Sequence, residues 1–381
     1  MDMSPQEFLP YFQSNESVSS RGARLFKVTP EQFVNWRWQM KHQLQKESDF
    51  PENFLSDRES EGFSSLEALF RAGSTPYYVS LMKEEASCPI RLQAIPRSEE
   101  LSDALGEKDP LHEKLHSPVP EVVHLYPDRV AFVVAMLCPV YCRYCYRKRR
   151  DEESGLHFNR NIIARGLDYI ASNKAIRDVL ITGGDPLMTS DESLEHIVKS
   201  LRAIPHVEII RIGTRTPVTL PYRVTKDLCT MLSQYHPIWV NTHFNCVEEM
   251  TPEASQALQN LVNAGIPVGN QTVLLKGVND SSEKMMELCR ALLRNRVRPY
   301  YVFHPHLVEG TEHLRPSVKK GLAIMKSLRG KISGMAIPTY IVDTPSGKVP
   351  IQHNYILGQE GEDLILETPN GDIWREKGAF G

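Results

Sequence analysis

The chain has 381 residues, of which 41% are hydrophobic and 24% are charged, and its formal net charge is −3. This length accommodates two or three structural units, or one large α/β unit with extensions. A net charge close to zero provides no general basic field, which argues against nucleic acid or an anionic membrane surface as the partner.

The cysteine count and the apolar runs indicate the compartment. Seven cysteines, an odd number in a long chain, do not resemble a secreted disulfide framework. Residues 1–18 lack the basic and apolar regions of a signal peptide. No apolar run approaches the length of a membrane span. We therefore expect a cytoplasmic protein in a reducing environment.

Residues 1–117 are charged and have a helical pattern. In the stretch TPEQFVNWRWQMKHQLQ, Thr29 is a predicted N-cap and Glu31 lies in the first turn of the following helix. We predict a helical N-terminal extension for this region.

Between residues 118 and 330, short β-branched runs alternate with helical patterns. Alternation at this spacing predicts βα units with a parallel sheet. The six runs are 130–137, 178–184, 208–214, 238–244, 267–275 and 298–305. The pattern predicts an α/β fold, either an incomplete (β/α)6 barrel or an open doubly wound sheet.

Chemically capable side chains follow nearly every predicted strand, which favours the barrel. Barrel enzymes build their sites at the C-terminal face of the strands, whereas an open sheet gathers its site at one switch point. The residues concerned are Cys138, Gly183, Gly184, Asp185, Thr214, Arg215, His243, Asn245, His304 and His306.

Three cysteines directly after the first strand, Cys138, Cys142 and Cys145, have the spacing C-x3-C-x2-C. A structural zinc site needs four ligands, often as two separated pairs, and the remaining cysteines form no second pair. Three closely spaced thiolates therefore suggest an iron–sulfur cluster with one iron left open. An open iron can bind a substrate or a cofactor.

This spacing, after the first strand of a barrel, resembles the signature of the radical S-adenosylmethionine enzymes. The resemblance implies a [4Fe–4S] cluster whose open iron binds S-adenosyl-L-methionine. The segment GGDPL resembles the glycine-rich element of these enzymes, which contacts the methionine amino group. Gly183 and Gly184 allow close backbone approach, and Asp185 is able to pair with a cation.

From about residue 27 to 360 the chain resembles the lysine 2,3-aminomutase family. The resemblance rests on VNWRWQ, CRYCYRKR, ITGGDPL, RIGTRTPV, NTHFN, GNQTVLLKGVND, RVRPYYVF and SGMAIPTYIVDTPSGKVP. It implies a radical enzyme that also uses pyridoxal 5′-phosphate to move the α-amino group of a free L-amino acid to the β-carbon. It further implies a reducing donor such as flavodoxin or ferredoxin, and a homo-oligomer.

The resemblance assigns cofactor contacts. Lys348 matches the lysine to which pyridoxal phosphate is attached, and Arg129 and Tyr126 match the segment that binds its phosphate. Leu125 stands where the family has a second arginine, and this loss weakens the assignment of the segment to phosphate binding. Gln271 and His243 are further candidates near the cofactors.

The resemblance also assigns substrate contacts. Arg147 matches the arginine for the substrate carboxylate, and Lys148 to Arg150 are expected to be a solvated loop. Asp343 matches one of two aspartates that bind the distal ammonium in the lysine enzymes, but His306 replaces the other. A guanidinium held by Asp343 and a neutral His306 fits this pocket at least as well as lysine, so a cationic substrate, arginine or lysine, is expected. A substrate with an uncharged polar side chain stays open as an alternative.

Residues 331–381 return to short strands and a PNGD turn, and form a predicted C-terminal segment for cofactor binding and oligomerisation. No cysteine follows Cys289, so the structural zinc of the longer lysine enzymes is not expected. Two alternatives to an aminomutase stay open: radical desaturation of a cationic amino acid such as arginine with the same cofactors, and a non-catalytic iron–sulfur sensor.

Overall fold

One sheet of nine strands organises the protein. The computed structural model describes residues 17–66, 69–148 and 159–379. The strands of this sheet follow one another in chain order from β1 to β9. They are β1 (Val122–Tyr126), β2 (Arg129–Ala135), β3 (Asp178–Gly183), β4 (Ile209–Gly213), β5 (Ile238–Thr242), β6 (Val268–Val273), β7 (Val297–Phe303), β8 (Thr339–Thr344) and β9 (Gly347–Pro350).

The six predicted strands are present as β2 to β7, all parallel, which confirms the predicted α/β barrel. The sheet extends beyond the prediction at both edges. A further strand, β8, pairs in parallel with β7, and β1 and β9 add antiparallel pairs at the two ends.

Helices follow the strands of this sheet. They are α7 (Arg160–Ser172), α8 (Asp191–Arg202), α9 (Thr216–Thr219), α10 (Lys226–Ser233), α11 (Pro252–Asn263), α12 (Ser282–Arg294) and α13 (Val318–Leu328). All but the short, fully buried α9 have one buried and one exposed face. Strand residues that point towards the helices, such as Ile181, Ile210 and Val240, are almost completely buried. The alternate residues point inward, where they line a cavity instead of a packed core.

The N-terminal part is helical, as predicted. It contains α1 (Val18–Leu25), α2 (Pro30–Phe33), α3 (Trp36–Lys41), α4 (Asp57–Leu66), α5 (Pro76–Ser80) and α6 (Pro89–Ala94). Thr29 caps α2 by accepting a hydrogen bond from the backbone of Gln32, and Glu31 lies in the first turn. Residues 1–16 of the predicted extension lie outside the described residues.

The C-terminal part contributes β8 and β9 to the barrel sheet and then forms a separate antiparallel sheet. That sheet contains β10 (Ile356–Glu360), β11 (Asp363–Glu367) and β12 (Ile373–Glu376). The predicted PNGD turn joins β11 to β12, with Gly371 N donating to Thr368 O at 2.9 Å. The domain limits 1–117, 118–330 and 331–381 stay predictions.

Short 3-10 turns connect several of these elements. They are Glu47–Asp49, Ser98–Leu101, Pro186–Met188, Pro221–Arg223, Val247–Glu249, Glu312–Leu314 and Gly334–Ala336. Across the described ranges, no helix is both long and apolar enough to cross a membrane.

Candidate active site

A cavity of about 890 Å³ runs along the inner face of the barrel sheet to the C-terminal ends of its strands. All the residues to which the sequence assigned a cluster, cofactor or substrate contact line this one cavity, whereas Asn245 and His304, which also follow strands, do not. The residues so assigned are Tyr126, Arg129, Cys138, Cys142, Cys145, Arg147, Gly183, Gly184, Asp185, His243, Gln271, His306, Asp343 and Lys348.

The cysteine loop after β2 is fixed by the N-terminal helical part. Gln43 Nε2 donates to Cys138 O at 2.8 Å and to Pro139 O at 2.9 Å. The backbone amides of Tyr141 and Arg143 donate to the carbonyl groups of Gly73 and Gln93, each at 2.9 Å. These contacts satisfy the backbone of the loop from outside, so its shape does not depend on a regular element of its own.

The three thiols have the chemistry that a cluster requires. All three side chains are half-buried at the cavity wall, and none of the seven cysteines forms a disulfide. Burial and the neighbouring Cys142 raise the pKa of the Cys145 thiol to about 11. Binding of a metal group must therefore displace a proton from Cys145.

A single metal ion is a poorer fit than a cluster. No group of three or more His, Cys, Asp or Glu side chains in the described part of the chain is placed to hold one ion. In an iron–sulfur cluster each thiolate has its own iron, so the three cysteines need not converge on one point. The donor set therefore fits a cluster with one iron left open.

The glycines of the GGD segment allow close approach to the backbone that leads into the cysteine loop. Gly183 has φ +139°, and a Cβ atom there would lie 2.1 Å from Ala135 O. A Cβ atom on Gly184 would lie 2.6 Å from the carbonyl carbon of Met136. Both positions therefore exclude a side chain, and the segment packs directly against the start of the loop.

Asp185 is buried and makes no pair with a cationic side chain among the residues described. Its carboxylate accepts hydrogen bonds from Thr214 Oγ1 at 2.6 Å, Arg215 N at 2.8 Å and Leu187 N at 3.1 Å. Burial raises its pKa, and these hydrogen bonds oppose the rise. In this structure Asp185 joins the loops that follow β3 and β4.

His243 lies where β5 ends and forms a neutral contact with the cysteine loop. Its Nε2 is 2.9 Å from Tyr144 Oη, and the two rings stack. Desolvation and the Arg215 guanidinium lower the pKa of His243 to about 3, although a hydrogen bond with the backbone of Gln271 raises it. The imidazole is therefore neutral at physiological pH.

The hairpin β8–β9 brings Asp343 opposite Lys348. Lys348 Nζ lies 3.1 Å from Asp343 Oδ2, and His306 Nε2 lies 3.5 Å from the same oxygen. Burial raises the pKa of Asp343, but His306 and Lys348 lower it by more. Asp343 is therefore an ionised carboxylate in a pocket where its own side chain is 8% exposed and that of His306 is 9% exposed.

Tyr126 and Arg129 lie next to this hairpin. Tyr126 Oη accepts a hydrogen bond from Lys348 N at 2.8 Å. The Arg129 guanidinium lies 3.8 Å from the Tyr126 ring centre, and it pairs with Asp128 at 2.9 Å. Leu125 also lines the cavity, so an apolar group occupies the place where the resemblance expects a second arginine.

Arg147 already has a carboxylate partner within the chain. Its Nη2 and Nε donate to the two carboxylate oxygens of Glu113, at 2.7 and 3.1 Å. Burial lowers the pKa of Arg147, but Glu113 raises it by more. Nη1 donates to Thr182 Oγ1 at 3.2 Å. Glu113 was not predicted, because nothing in the sequence links it to Arg147.

The expectation of a solvated loop after Arg147 is wrong for Lys148. Its side chain is only 3% exposed, and its Nζ pairs with Glu100 and lies 3.8 Å from the Phe70 ring centre. Burial and Arg143 lower the pKa of Lys148 to about 7, although Glu100 raises it. Arg149 and Arg150 lie outside the described residues.

Arg215 makes an extensive polar network at the site, and the sequence analysis assigned it no role beyond its place after a strand. Its Nη1 donates to Cys142 Sγ at 2.7 Å. Its Nη2 donates to Gln93 Oε1 at 2.7 Å, Glu249 Oε1 at 2.7 Å and Tyr78 Oη at 3.0 Å. The network joins a cysteine of the loop to both the N-terminal helices and the loop after β5.

A barrel sheet with three cysteines, two glycines and a histidine at its strand ends is the arrangement of a radical S-adenosylmethionine enzyme. A model described as the radical SAM superfamily matches residues 133–289, and one described as lysine-2,3-aminomutase matches residues 325–375.

Whole-chain relatives narrow the assignment. L-lysine 2,3-aminomutase of Fusobacterium nucleatum is 46% identical over 362 residues, covering 94% of this chain and 85% of the relative. The enzyme of the same name from Clostridium subterminale is 44% identical, covering 93% and 86%. Glutamate 2,3-aminomutase of Clostridioides difficile is 40% identical, covering 95% and 87%. The chain belongs to the lysine 2,3-aminomutase family and is a radical SAM isomerase.

Family membership confirms the resemblance that the motifs indicated, and it favours an enzyme over the iron–sulfur sensor. Lysine and glutamate enzymes both match over nearly the whole chain. The relatives therefore define the reaction, 2,3-amino migration. They do not define the side chain of the amino acid that is the substrate.

Proposed function

We propose that the protein is a pyridoxal-phosphate-dependent 2,3-aminomutase for a free L-amino acid with a cationic side chain, arginine or lysine. The observation that carries the proposal is the pocket formed by Asp343, His306 and Lys348 in the same cavity as Arg147. One wall offers a guanidinium for the α-carboxylate, and the other offers a buried, ionised carboxylate for a distal cation.

The cysteines Cys138, Cys142 and Cys145 would hold the [4Fe–4S] cluster, and Gly183, Gly184 and Asp185 would shape the S-adenosylmethionine site beside it. His243 and Gln271 would contact the cofactors from β5 and β6. When bound, the cluster and S-adenosylmethionine supply the radical that removes a hydrogen atom, and pyridoxal phosphate carries the amino group that moves.

Lys348 is the attachment point that we propose for pyridoxal phosphate, with Tyr126 and Arg129 at its phosphate. The hydrogen bond from Lys348 N to Tyr126 Oη fixes the base of the lysine side chain. The Arg129 guanidinium lies over the Tyr126 ring, and this contact would orient it before the phosphate binds. Planar guanidinium groups bind phosphate through paired hydrogen bonds.

Arg147 binds the substrate carboxylate in this proposal. Its guanidinium is held in place by Glu113 and Thr182, and a guanidinium has five N–H donors. Tyr146 links this region to the distal pocket, because its ring lies 4.8 Å from the Arg147 guanidinium and 4.9 Å from the His306 ring.

Asp343 binds the distal cation. Within the described residues, His306 Nε2 is buried without a hydrogen-bond partner, and it lies 3.5 Å from Asp343 Oδ2. A neutral His306 is therefore able to accept a hydrogen bond from a guanidinium. A substrate carboxylate would meet the ionised Asp343 and be repelled, which disfavours glutamate although a relative at 40% identity is a glutamate enzyme.

The decisive experiment is anaerobic turnover of the reconstituted protein with arginine, lysine, glutamate and neutral amino acids, followed by mass and chiral analysis of the products. A β-amino acid of unchanged mass from arginine or lysine supports the proposal. A product two hydrogens lighter would identify the alternative outcome, radical desaturation. Preferred turnover of glutamate would contradict the assignment of the distal pocket.

The electron donor, the assembly and the compartment also stay proposals. A flavodoxin or ferredoxin would supply the electron, the protein would be a homo-oligomer through its C-terminal segment, and it would act in the cytoplasm. Light scattering of the purified protein would measure the assembly directly.

A further inference from the structure

We propose that Arg215 is a positioning residue that sets the reduction potential of the cluster bound by Cys138, Cys142 and Cys145. The inference rests on the proposed function, since it assumes that these thiols hold an iron–sulfur cluster. Its basis is the 2.7 Å contact between Arg215 Nη1 and Cys142 Sγ, made by an arginine whose side chain is 9% exposed.

The guanidinium cannot readily turn away from the sulfur. Gln93 and Tyr78, from the N-terminal helical part, and Glu249, from the loop after β5, all bind Nη2. The Nε atom donates to His243 O at 3.3 Å. With its other nitrogen atoms held in this way, Nη1 is directed at Cys142 by the fold.

The acceptors are themselves held by further hydrogen bonds. Tyr78 Oη donates to Glu249 Oε1 at 2.7 Å, and Asn245 Nδ2 donates to Gln93 Oε1 at 2.8 Å. Glu249 Oε2 accepts from Asn245 N at 2.6 Å. A network with all members satisfied fixes one geometry, so the position of the guanidinium is built in.

A cation and a hydrogen bond at a cluster thiolate favour the reduced state. Reduction adds one negative charge, and cluster potentials depend on net charge, on hydrogen bonds to sulfur and on solvent exposure. Coulomb interactions are strong in a buried, low-dielectric site. Arg215 should therefore raise the potential and make the cluster easier to reduce by a low-potential donor.

Glu249 opposes this effect through a second nitrogen of the same guanidinium. Its side chain is fully buried, with no exposed surface. The carboxylate accepts from Nη2, whereas the sulfur accepts from Nη1, so the two acceptors share one cation. Loss of the Arg215 charge should lower the potential, and loss of the Glu249 charge should raise it.

Arg223 provides a matched control. It is also a buried arginine, and its side chain is 1% exposed. It donates to Leu187 O at 2.8 Å, Thr189 O at 3.1 Å and Asp191 Oδ1 at 2.5 Å. None of these partners is a cysteine of the loop, so Arg223→Gln tests the loss of a buried guanidinium without a change at the sulfur.

The test is a redox titration of the reconstituted, full-length protein without S-adenosylmethionine or substrate, using the electron paramagnetic resonance signal of the reduced cluster. Iron and sulfide are counted first. At the wild-type midpoint, we expect the ratio of reduced to oxidised cluster to fall about tenfold in Arg215→Gln, equivalent to about 59 mV for one electron. The ratio should rise in Glu249→Gln and stay at the wild-type value in Arg223→Gln.

An Arg215→Gln protein with full iron and sulfide and the wild-type ratio would overturn the inference. If that variant loses the cluster, Glu249→Gln and the charge-conserving Arg215→Lys test the inference in its place. An increased ratio in Glu249→Gln with a nearly normal ratio in Arg215→Lys supports the inference, and an unchanged or lower ratio in Glu249→Gln rejects it. Failure of the wild type to assemble a [4Fe–4S] cluster would instead reject the proposed function.

Discussion

The side chain of Lys348 is the most specific residue-level feature of the cavity. Its Nζ contacts the buried Asp343, while its backbone is fixed by Tyr126. We expect Lys348→Ala to lose covalent attachment of pyridoxal phosphate and to keep the three-cysteine cluster, because Lys348 does not belong to the cysteine loop. Borohydride reduction followed by peptide mass mapping should place the cofactor on Lys348 in the wild type.

Lys320→Ala is the control for this change. Lys320 pairs with Asp280 at 2.5 Å and is not among the residues that line the cavity. The control should bind pyridoxal phosphate as the wild type does. Reduced cofactor mapped to another lysine in the wild type would show that Lys348 has been assigned wrongly.

The Asp343–His306 pair should determine which cationic substrate is preferred. One carboxylate matches a delocalised guanidinium better than a compact ammonium that lacks its second anion. Removing a hydrogen bond to a charged group costs about 1.5–3 kcal/mol, which corresponds to roughly ten- to hundredfold in kcat/KM. Asp343→Asn should lower kcat/KM for arginine and lysine by this factor, and His306→Asp should raise it for lysine.

Steady-state kinetics with both substrates measures these effects. His236→Asp is the control, because His236 contacts the backbone of Ala264 and does not line the cavity. A His306→Asp variant with unchanged lysine turnover, or a wild type that prefers glutamate, would contradict the proposed pocket.

At this scale the identity of the site residues could be predicted and their partners could not. Cys138, Arg147 and Lys348 lie in motifs, so the resemblance identified them. Glu113 precedes Arg147 by 34 residues in no recognisable motif, and Lys148 looked like part of an exposed basic run until its burial against Glu100 was seen. Contacts of this kind are set by packing, which local sequence does not encode.

At the scale of elements, the parallel strands and covering helices follow from the alternating pattern. Each of the six predicted strands continues one or two residues past the observed end, for example 238–244 against Ile238–Thr242. The residues beyond the observed ends belong to the loops after the strands. Several of them are apolar, such as Leu137, Phe244 and Leu275, and periodicity alone does not separate these from the strand. The pattern predicted strands in IPTYIVDTPSGKVP but not that β8 joins β7 in parallel, because pairing depends on tertiary structure.

Glu100, in a 3-10 turn of the N-terminal part, should stabilise the cysteine loop strongly. It binds Arg143 at 2.6 and 2.8 Å and also pairs with Lys148. All three side chains are buried, so Glu100→Gln would leave the Arg143 guanidinium, and Lys148 in its protonated form, without an anion, at a cost of about 3–5 kcal/mol. Urea unfolding at pH 7 should show this loss in the free energy of unfolding.

Glu99→Gln is a matched control in the same turn. Glu99 pairs with the exposed Arg58 at 2.5 Å, and an exposed pair contributes about 0–1 kcal/mol. A Glu100→Gln protein as stable as Glu99→Gln would show that the buried cluster is not needed for stability.

The effect of Glu100 should depend on pH. Burial raises its pKa, but Arg143 and Lys148 lower it by more, so the pKa in the folded protein is below its ordinary value. The stabilisation is then complete above the ordinary glutamate pKa of about 4.3 and is lost as the pH falls through the lower, folded value. The difference between the wild type and Glu100→Gln should therefore shrink at acidic pH, as measured by unfolding at several pH values.

At the scale of the whole molecule, the N-terminal helical part is a component of the active site. Its side chains and backbone hold the cysteine loop, and Tyr78 and Gln93 complete the network around Arg215. The sequence predicted this region as a separate helical extension, because hydrogen bonds across 95 or 122 residues leave no local pattern. The family resemblance, which begins near residue 27, was the one sign that it takes part in function.

The contact of Gln43 with the cysteine loop offers a direct test of this integration. One side-chain amide nitrogen satisfies the carbonyl groups of Cys138 and Pro139, and Gln43→Ala would leave both without that donor. Each unsatisfied buried polar group costs about 1–3 kcal/mol, so we expect the loop to open more often and to retain less iron. Hydrogen exchange of residues 138–145 and the iron content after reconstitution should both show the change. Gln256→Ala is the control, because the exposed Gln256 side chain donates a hydrogen bond to Asn260 on the same helix, α11, and does not line the cavity. If Gln43→Ala exchanges and binds iron as the control does, the loop is held by its own backbone and the N-terminal part is not required to fix it.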